Sequence, residues 1–315
     1  MDKIITTALT LLLCFFSVTT TSAQEAIEIS DLLSEDDDIS ASDISKVNSA
    51  FIVSDTLVGW DYNWVGGFNG SQAAYRNWSQ GGVNTISVTA STVFNLRYRK
   101  DKFAYALTTN LKYGKAKLEG EGTRKTDDRI AVNNKFSYLF DDERWSAFGN
   151  INFATQFDEG FDYNVPDGQD PILISKFFAP AYFTQIAGIA YNPADYFTAE
   201  AGLAFKETIV SDTRLSERYG LKPGEKFRFE PGYATGLNFE KTIVSNVKLI
   251  SIFETFTNLQ RNIKSTDIVF SNEVIGKIND YLNTSFQFVV IYDDDFSTKA
   301  QIKQVLSVGL SFSLL

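Results

Sequence analysis

From Trp60 to the end of the chain, apolar and polar side chains alternate one by one over long stretches, the period of a strand whose two faces meet different surroundings. Residues 84 to 99 show it most plainly. Ile86, Val88, Ala90, Phe94, Leu96 and Tyr98 fall on one face, and Thr85, Ser87, Thr89, Ser91, Asn95 and Arg97 on the other. Phe103, Tyr105, Leu107, Leu111 and Tyr113 repeat the pattern against Ala104, Ala106, Thr108, Asn110 and Lys112. So do Leu306, Val308, Leu310, Phe312 and Leu314 against Ser307, Gly309, Ser311 and Ser313. Followed along the chain, this alternation predicts about twelve strands, near residues 61–75, 83–99, 102–117, 128–140, 143–157, 177–192, 195–209, 226–241, 244–259, 265–277, 280–292 and 301–315. Such strands are roughly twice the globular mean of about 5 to 6 residues, a length suited to a tilted crossing of a membrane.

The connections alternate as well. Tight turns fall at Arg99 to Lys102, Asp141 to Arg144, Asn192 to Asp195, Thr242 to Asn246 and Ile278 to Asp280. Mostly longer segments separate them, near 76–82, 118–127, 158–176, 210–225, 260–264 and 293–300, many rich in Gly, Asp or Pro. Short turns at one end and longer loops at the other are the habit of membrane barrels. Aromatic residues flank most of the tight turns, as in Tyr98 and Phe103, Phe140 and Trp145, and Tyr191 and Tyr196, with Tyr281 beside the last. A ring suits the membrane interface because it can be half apolar and half wet. The expected fold is therefore all-β, a transmembrane antiparallel up-and-down β-barrel of about twelve strands over residues 59–315. A soluble sandwich or lipocalin-like barrel would also alternate, but strand length, loop asymmetry and aromatic flanking favour the membrane.

The start of the chain supports export. Met1-Asp2-Lys3, an apolar run from Ala8 to Val18 and Thr21-Ser22-Ala23 have the form of a removed secretion signal over residues 1–23. The one cysteine, Cys14, lies inside that run behind the bulky Leu13, so lipid anchoring there is not expected. Residues 24–58 carry nine acidic residues, among them Asp36-Asp37-Asp38, against the single Lys46, and read as a flexible acidic lead segment.

Composition narrows the chemistry. A net charge of −10 argues against a nucleic-acid partner, which needs a basic footprint to displace counterions. The absence of histidine removes Ser-His and Cys-His nucleophile pairs, the histidine base and His-ligated metals. No enzyme activity and no cofactor are expected.

Several short motifs occur in a recognisable order: Asn77-Trp78-Ser79-Gln80-Gly81-Gly82-Val83-Asn84, Lys125-Thr126-Asp127-Asp128-Arg129-Ile130, and Ile174-Ser175-Lys176-Phe177-Phe178-Ala179-Pro180-Ala181-Tyr182. Pro223-Gly224-Glu225-Lys226 and Tyr292-Asp293-Asp294-Asp295 complete the set. In these the chain resembles the outer-membrane proteins catalogued as domain of unknown function 3078. The resemblance implies an outer-membrane location and no established activity. Leu315 departs from the aromatic residue on which outer-membrane barrels usually end, although Phe312 lies close by.

Strand parity puts Arg97, Lys112, Lys135, Glu200, Lys206, Glu240, Lys248, Glu254, Glu273 and Lys303 toward the lumen. Two readings stay open: a charge-lined solute path, or paired charges that close the lumen and fix strand register. In the predicted external loops, Asp127-Asp128, Asp158-Glu159, Asp167 with Asp170, and Asp293-Asp294-Asp295 offer oxygen clusters of the kind calcium takes, but without the calcium-loop spacing, so solvated acidic loops are the plainer reading. The expected partners are outer-membrane lipid, the outer-membrane assembly machinery and small solutes. The function expected is a narrow passive channel for small ions or solutes. The alternative is a non-transporting scaffold, receptor or assembly partner acting through the loops at 158–176 and 210–225.

Overall fold

The period-two sequence folds as one continuous wall. The structure is a computed structural model that describes residues 57–73, 84–163, 165–166, 168–279, 282–293 and 297–313. Its strands are β1 (Gly59–Ala73), β2 (Thr85–Lys100), β3 (Phe103–Leu118), β4 (Gly122–Leu139), β5 (Trp145–Thr155), β6 (Gly160–Asp162), β7 (Ile172–Ser175), β8 (Ala181–Ala194), β9 (Phe197–Ile209), β10 (Phe227–Val244), β11 (Val247–Asn258), β12 (Thr266–Lys277), β13 (Leu282–Asp293) and β14 (Ser297–Ser313). Twelve of them close into an antiparallel barrel in chain order, with β5 beside β8, while β6 and β7 form a separate two-stranded sheet. The closing seam pairs Val65 with Ser313 through Asn69 with Gly309. Closure matters because lipid offers no hydrogen-bond partner to an open sheet edge.

Register fixes what each face meets. Lys112 pairs across to Ser91 and Arg129, Asn110 to Val93 and Ala131, and Thr108 to Asn95 and Asn133, so these polar positions line one surface, the lumen. The opposite surface carries the apolar positions: Ile86, Val88, Leu203, Leu306, Val308 and Leu310 are all more than half exposed, Leu306 reaching 76%. Phe94, Leu107 and Leu111 share that outer parity. No helix among the described residues is long and apolar enough to cross a membrane. Near the tight turns the outer surface changes to rings in contact. Trp60 lies 4.6 Å from Tyr98, Trp145 4.5 Å from Tyr191, and Tyr196 5.7 Å from Phe239, with the Lys241 ammonium 4.0 Å above the Tyr196 ring. A ring half in lipid and half in headgroup water, with a lysine snorkelling beside it, marks an interface.

The structure departs from the sequence reading at the loop end. The predicted loop at 118–127 is only the turn Glu119 to Glu121, made by Gly120 at φ 84°, and β4 begins at Gly122. Asp127 and Asp128 therefore lie in a strand. A strand that has left the lipid needs no apolar face, so its polar residues hide the alternation. The predicted loop at 158–176 contains β6 and β7, and that at 210–225 contains two 3-10 turns, Thr213–Leu215 and Glu217–Tyr219. β14 begins at Ser297, four residues before the predicted start. The expected signal, most of the acidic lead segment, Asn77 to Val83, Asp167, Tyr281, Asp294, Asp295 and Leu315 lie outside the described residues.

These two loops pack together as a cap. Ala179, Val210, Leu215, Tyr219 and Leu221 form a buried cluster, and the Tyr219 hydroxyl donates to the Ile174 carbonyl at 2.8 Å. Asp212 joins the two loops: its carboxylate takes Lys176 from one at 2.8 Å and Arg214 from the other at 2.7 Å. The Arg214 guanidinium, then the Lys176 ammonium, hold the Asp212 carboxyl well below the usual carboxylate range.

Two outcomes follow for stability. Leu111→Lys puts a charge at mid-strand on the lipid face and should destabilise by about 2 to 4 kcal/mol, whereas Asn110→Lys on the lumen face is better tolerated; urea unfolding in lipid vesicles reads the difference. A depressed carboxyl contributes stability that is present above its unfolded pKa of about 3.9 and is lost as pH falls below that value. Trypsin should accordingly cut at Arg218 and Lys222 faster in Asp212→Asn than in wild type at pH 7, and in a pulse of acid the wild-type cap should open only below about pH 4.

Candidate functional site

The lumen is the site, and its wall is built by strand parity. Even positions of β9, β10 and β11 point inward, as do odd positions of β4, β12 and β13, because paired residues of neighbouring strands share a face. This places Arg97, Lys112, Lys135, Glu200, Lys206, Glu240, Lys248, Glu254 and Glu273 on the inner surface, and Lys303 at an inner-face register position opposite Val289.

Several of these charges meet adjacent strands. Lys112 bonds Asp127 at 2.5 Å, and the Thr89 hydroxyl donates to the same carboxylate at 3.2 Å. Arg97 lies 3.9 Å from Asp61. Lys248 pairs with Glu240 of β10, so it is not grouped with Glu254 and Glu273 by a contact of its own; Glu273 stands opposite Ile250 and Gln287.

Two other pairs span the lumen. Lys135 of β4 bonds Glu200 of β9, passing over β5 and β8. Lys206 of β9 bonds Asp267 of β12 at 2.8 Å, passing over β10 and β11. Lys206 is only 3% exposed, lies 3.8 Å from Glu230 and stands 4.9 Å from the Phe256 ring centre. Glu230 in turn holds Arg228 at 3.0 Å and accepts from the Asn258 amide at 3.0 Å, and Arg228 donates to the Gly220 carbonyl of the cap at 3.2 Å. A chain of charge thus ties cap to wall at the loop-side mouth. Beneath it, glycines let two neighbouring strands approach closely. Gly188 and Gly202 oppose one another on β8 and β9, where a Cβ on Gly188 would come within 2.0 Å of the Ala201 carbonyl oxygen.

The Lys135–Glu200 contact stands between two chambers. The loop-side chamber, about 820 Å³ including its mouths, is lined by Asn152, Glu200, Lys206, Glu254, Asp267 and Asp293 together with Phe148 and Phe256. The turn-side chamber, about 960 Å³, is lined by Arg99, Lys135, Arg144, Glu143, Asn192 and Asp195. Acid predominates on one side of the bridge and base on the other.

Of the loop clusters, Asp128 accepts the Phe157 and Asp158 backbone amides at 2.7 and 2.8 Å and bonds Lys125 at 3.0 Å. Asp293 is the last residue of β13 and lines the loop-side chamber, while Asp294 and Asp295 lie outside the described residues. No group of three or more acidic, histidine or cysteine residues arranged for a metal occurs among the described residues. Arg228, Glu230 and Asp267 were not singled out from sequence. Asp267 shares the parity of Glu273, which could have found it; Glu230 is followed by Pro231 and Gly232, which mask the alternation.

Residues 70–161 match the model of the family described as protein of unknown function (DUF3078). The match spans less than a third of the chain. It includes the Lys125 to Ile130 motif, and the resemblance seen in the sequence is shown over it. No curated protein matches this chain. Among solved structures, the translocator domain of autotransporter NalP from Neisseria meningitidis aligns at 11% identity and TM-score 0.44, over 86% of this chain and 93% of that one. The COG4313 outer membrane channel from Pseudomonas putida F1 aligns at 10% and 0.41, over 82% and 95%. The outer membrane channel DcaP of Acinetobacter baumannii aligns at 8% and 0.32, over 81% and 98%. At such identities the likeness is one of fold alone.

If the cross-lumen pair braces the barrel, Glu200→Gln should destabilise it by leaving Lys135 nearly buried without its carboxylate, and Lys135→Met with Glu200→Leu should recover part of the loss. A double-mutant cycle on unfolding should give a coupling of about 1 to 3 kcal/mol; additivity would mean that the pair does not brace the wall.

Proposed function

We propose that this protein resides in the outer membrane as a narrow passive channel for small ions or solutes, pinched at Lys135–Glu200. The observation that carries the reading is a polar inner face that encloses two chambers meeting at one side-chain contact. Two long side chains stand at that contact, and rotation of either about its own bonds widens the path. The folded cap favours a second role, in which the loops at 158–176 and 210–225 contact a partner and the barrel is their platform. A rigid, well-packed loop pair presents a defined surface at little entropic cost.

Planar-bilayer recording separates the two. Wild type should give small, discrete currents, and Lys135→Ala with Glu200→Ala should enlarge them while the barrel still inserts. Neutralising Glu254 and Glu273 together should shift ion preference away from cations. If wild type and all these variants are silent, the channel reading is dropped and the platform reading stands.

A further inference from the structure

We propose that the loop-side chamber is a binding site for small organic cations, and that Lys206 is its built-in competitor. The inference deepens the channel reading by naming what the acidic half of the lumen recognises. Among the described residues, four carboxylates from four strands line the chamber, Glu200 of β9, Glu254 of β11, Asp267 of β12 and Asp293 of β13, against one lining ammonium, that of Lys206. Counting Lys135, which reaches Glu200 from the other chamber, acid still exceeds base by two. Low-dielectric walls strengthen that field.

Lys206 shows how a cation is received there. Its ammonium bonds Asp267 at 2.8 Å, lies 3.8 Å from Glu230 and stands 4.9 Å from the Phe256 ring centre. Carboxylates around an aromatic face are what proteins present to an alkylammonium ligand. The lysine occupies that place on a flexible four-carbon stem, so a free ammonium can take it by mass action.

A second, independent feature narrows the ligand. Asn152 lines the chamber, is 1% exposed, and its side-chain nitrogen has no hydrogen-bond partner among the described residues. A buried donor is costly to leave unmade and is completed by an oxygen acceptor. Phe148, Ile186, Val269 and Ile291 supply apolar wall. The ligand class is therefore a small ammonium with an apolar or aromatic body and a hydroxyl or carbonyl oxygen.

The test uses three probes of one shape on the full barrel in lipid nanodiscs: phenylalaninol as the cation, 3-phenylpropanol as the neutral form and 3-phenylpropionate as the anion. Binding is read by ligand-detected saturation-transfer NMR, which needs no current. The expected order is phenylalaninol well above 3-phenylpropanol, with 3-phenylpropionate unbound. Lys206→Met should tighten phenylalaninol at least tenfold. Glu254→Gln with Asp293→Asn leaves Lys206 and its bridge in place and should weaken it at least fivefold, which keeps the proposal testable should Lys206→Met fail to fold. Equal binding of the three probes, or binding of the cation that neither variant changes, overturns the proposal. Cation binding in a barrel that carries no current upholds this site and removes only the channel reading.

Discussion

Everything in this molecule depends on the pairing of backbone groups where no water can satisfy them. An unpaired amide in hydrocarbon costs several kcal/mol, so a sheet that enters lipid must close on itself. Closure makes register rigid, and a slip of one residue would exchange the faces of a whole strand. The seam between Val65–Asn69 and Gly309–Ser313 therefore has consequences far from itself. It decides that Leu306, Val308 and Leu310 meet lipid and that Lys135 and Lys206 face the lumen.

Those inner charges are expensive to enclose, and the barrel answers by pairing them. Adjacent-strand pairs such as Lys112 with Asp127 need only local register. The long pairs, Lys135 with Glu200 and Lys206 with Asp267, need the strands to tilt and stagger so that residues with two strands between them face one another over a short gap. The result is a lumen neither filled like a small barrel nor open like a large porin. Its polar path is divided by side chains that can turn.

The sequence disclosed the wall well and the contents of the lumen poorly, for one reason. Alternation such as Ile86 to Tyr98 against Thr85 to Arg97 is a property of a strand alone, so twelve crossings and their connections were legible. Parity does not say which inner-face charges touch, since that depends on stagger around the barrel. Lys248 illustrates it, bonding Glu240 of the preceding strand and not joining the glutamates that follow. Legibility also failed where strands leave the lipid. Asp127 and Asp128 sit in β4 and Asp293 ends β13 within the lumen, although their acidity reads as loop. The cap was hidden because Leu215, Tyr219 and Leu221 bury themselves against a segment some forty residues earlier, as the bond from Tyr219 to Ile174 shows.

The most direct test of this arrangement is the environment of each residue along one strand. Single cysteines placed from 104 to 117 in β3, in a chain whose only native cysteine is Cys14, can be spin-labelled and their collision rates with oxygen and with a water-soluble nickel chelate measured in lipid vesicles. The account predicts strict alternation, with oxygen collisions highest at Leu107, Thr109 and Leu111 and nickel collisions highest at Thr108, Asn110 and Lys112. A uniform profile, or alternation in the opposite phase, would contradict it.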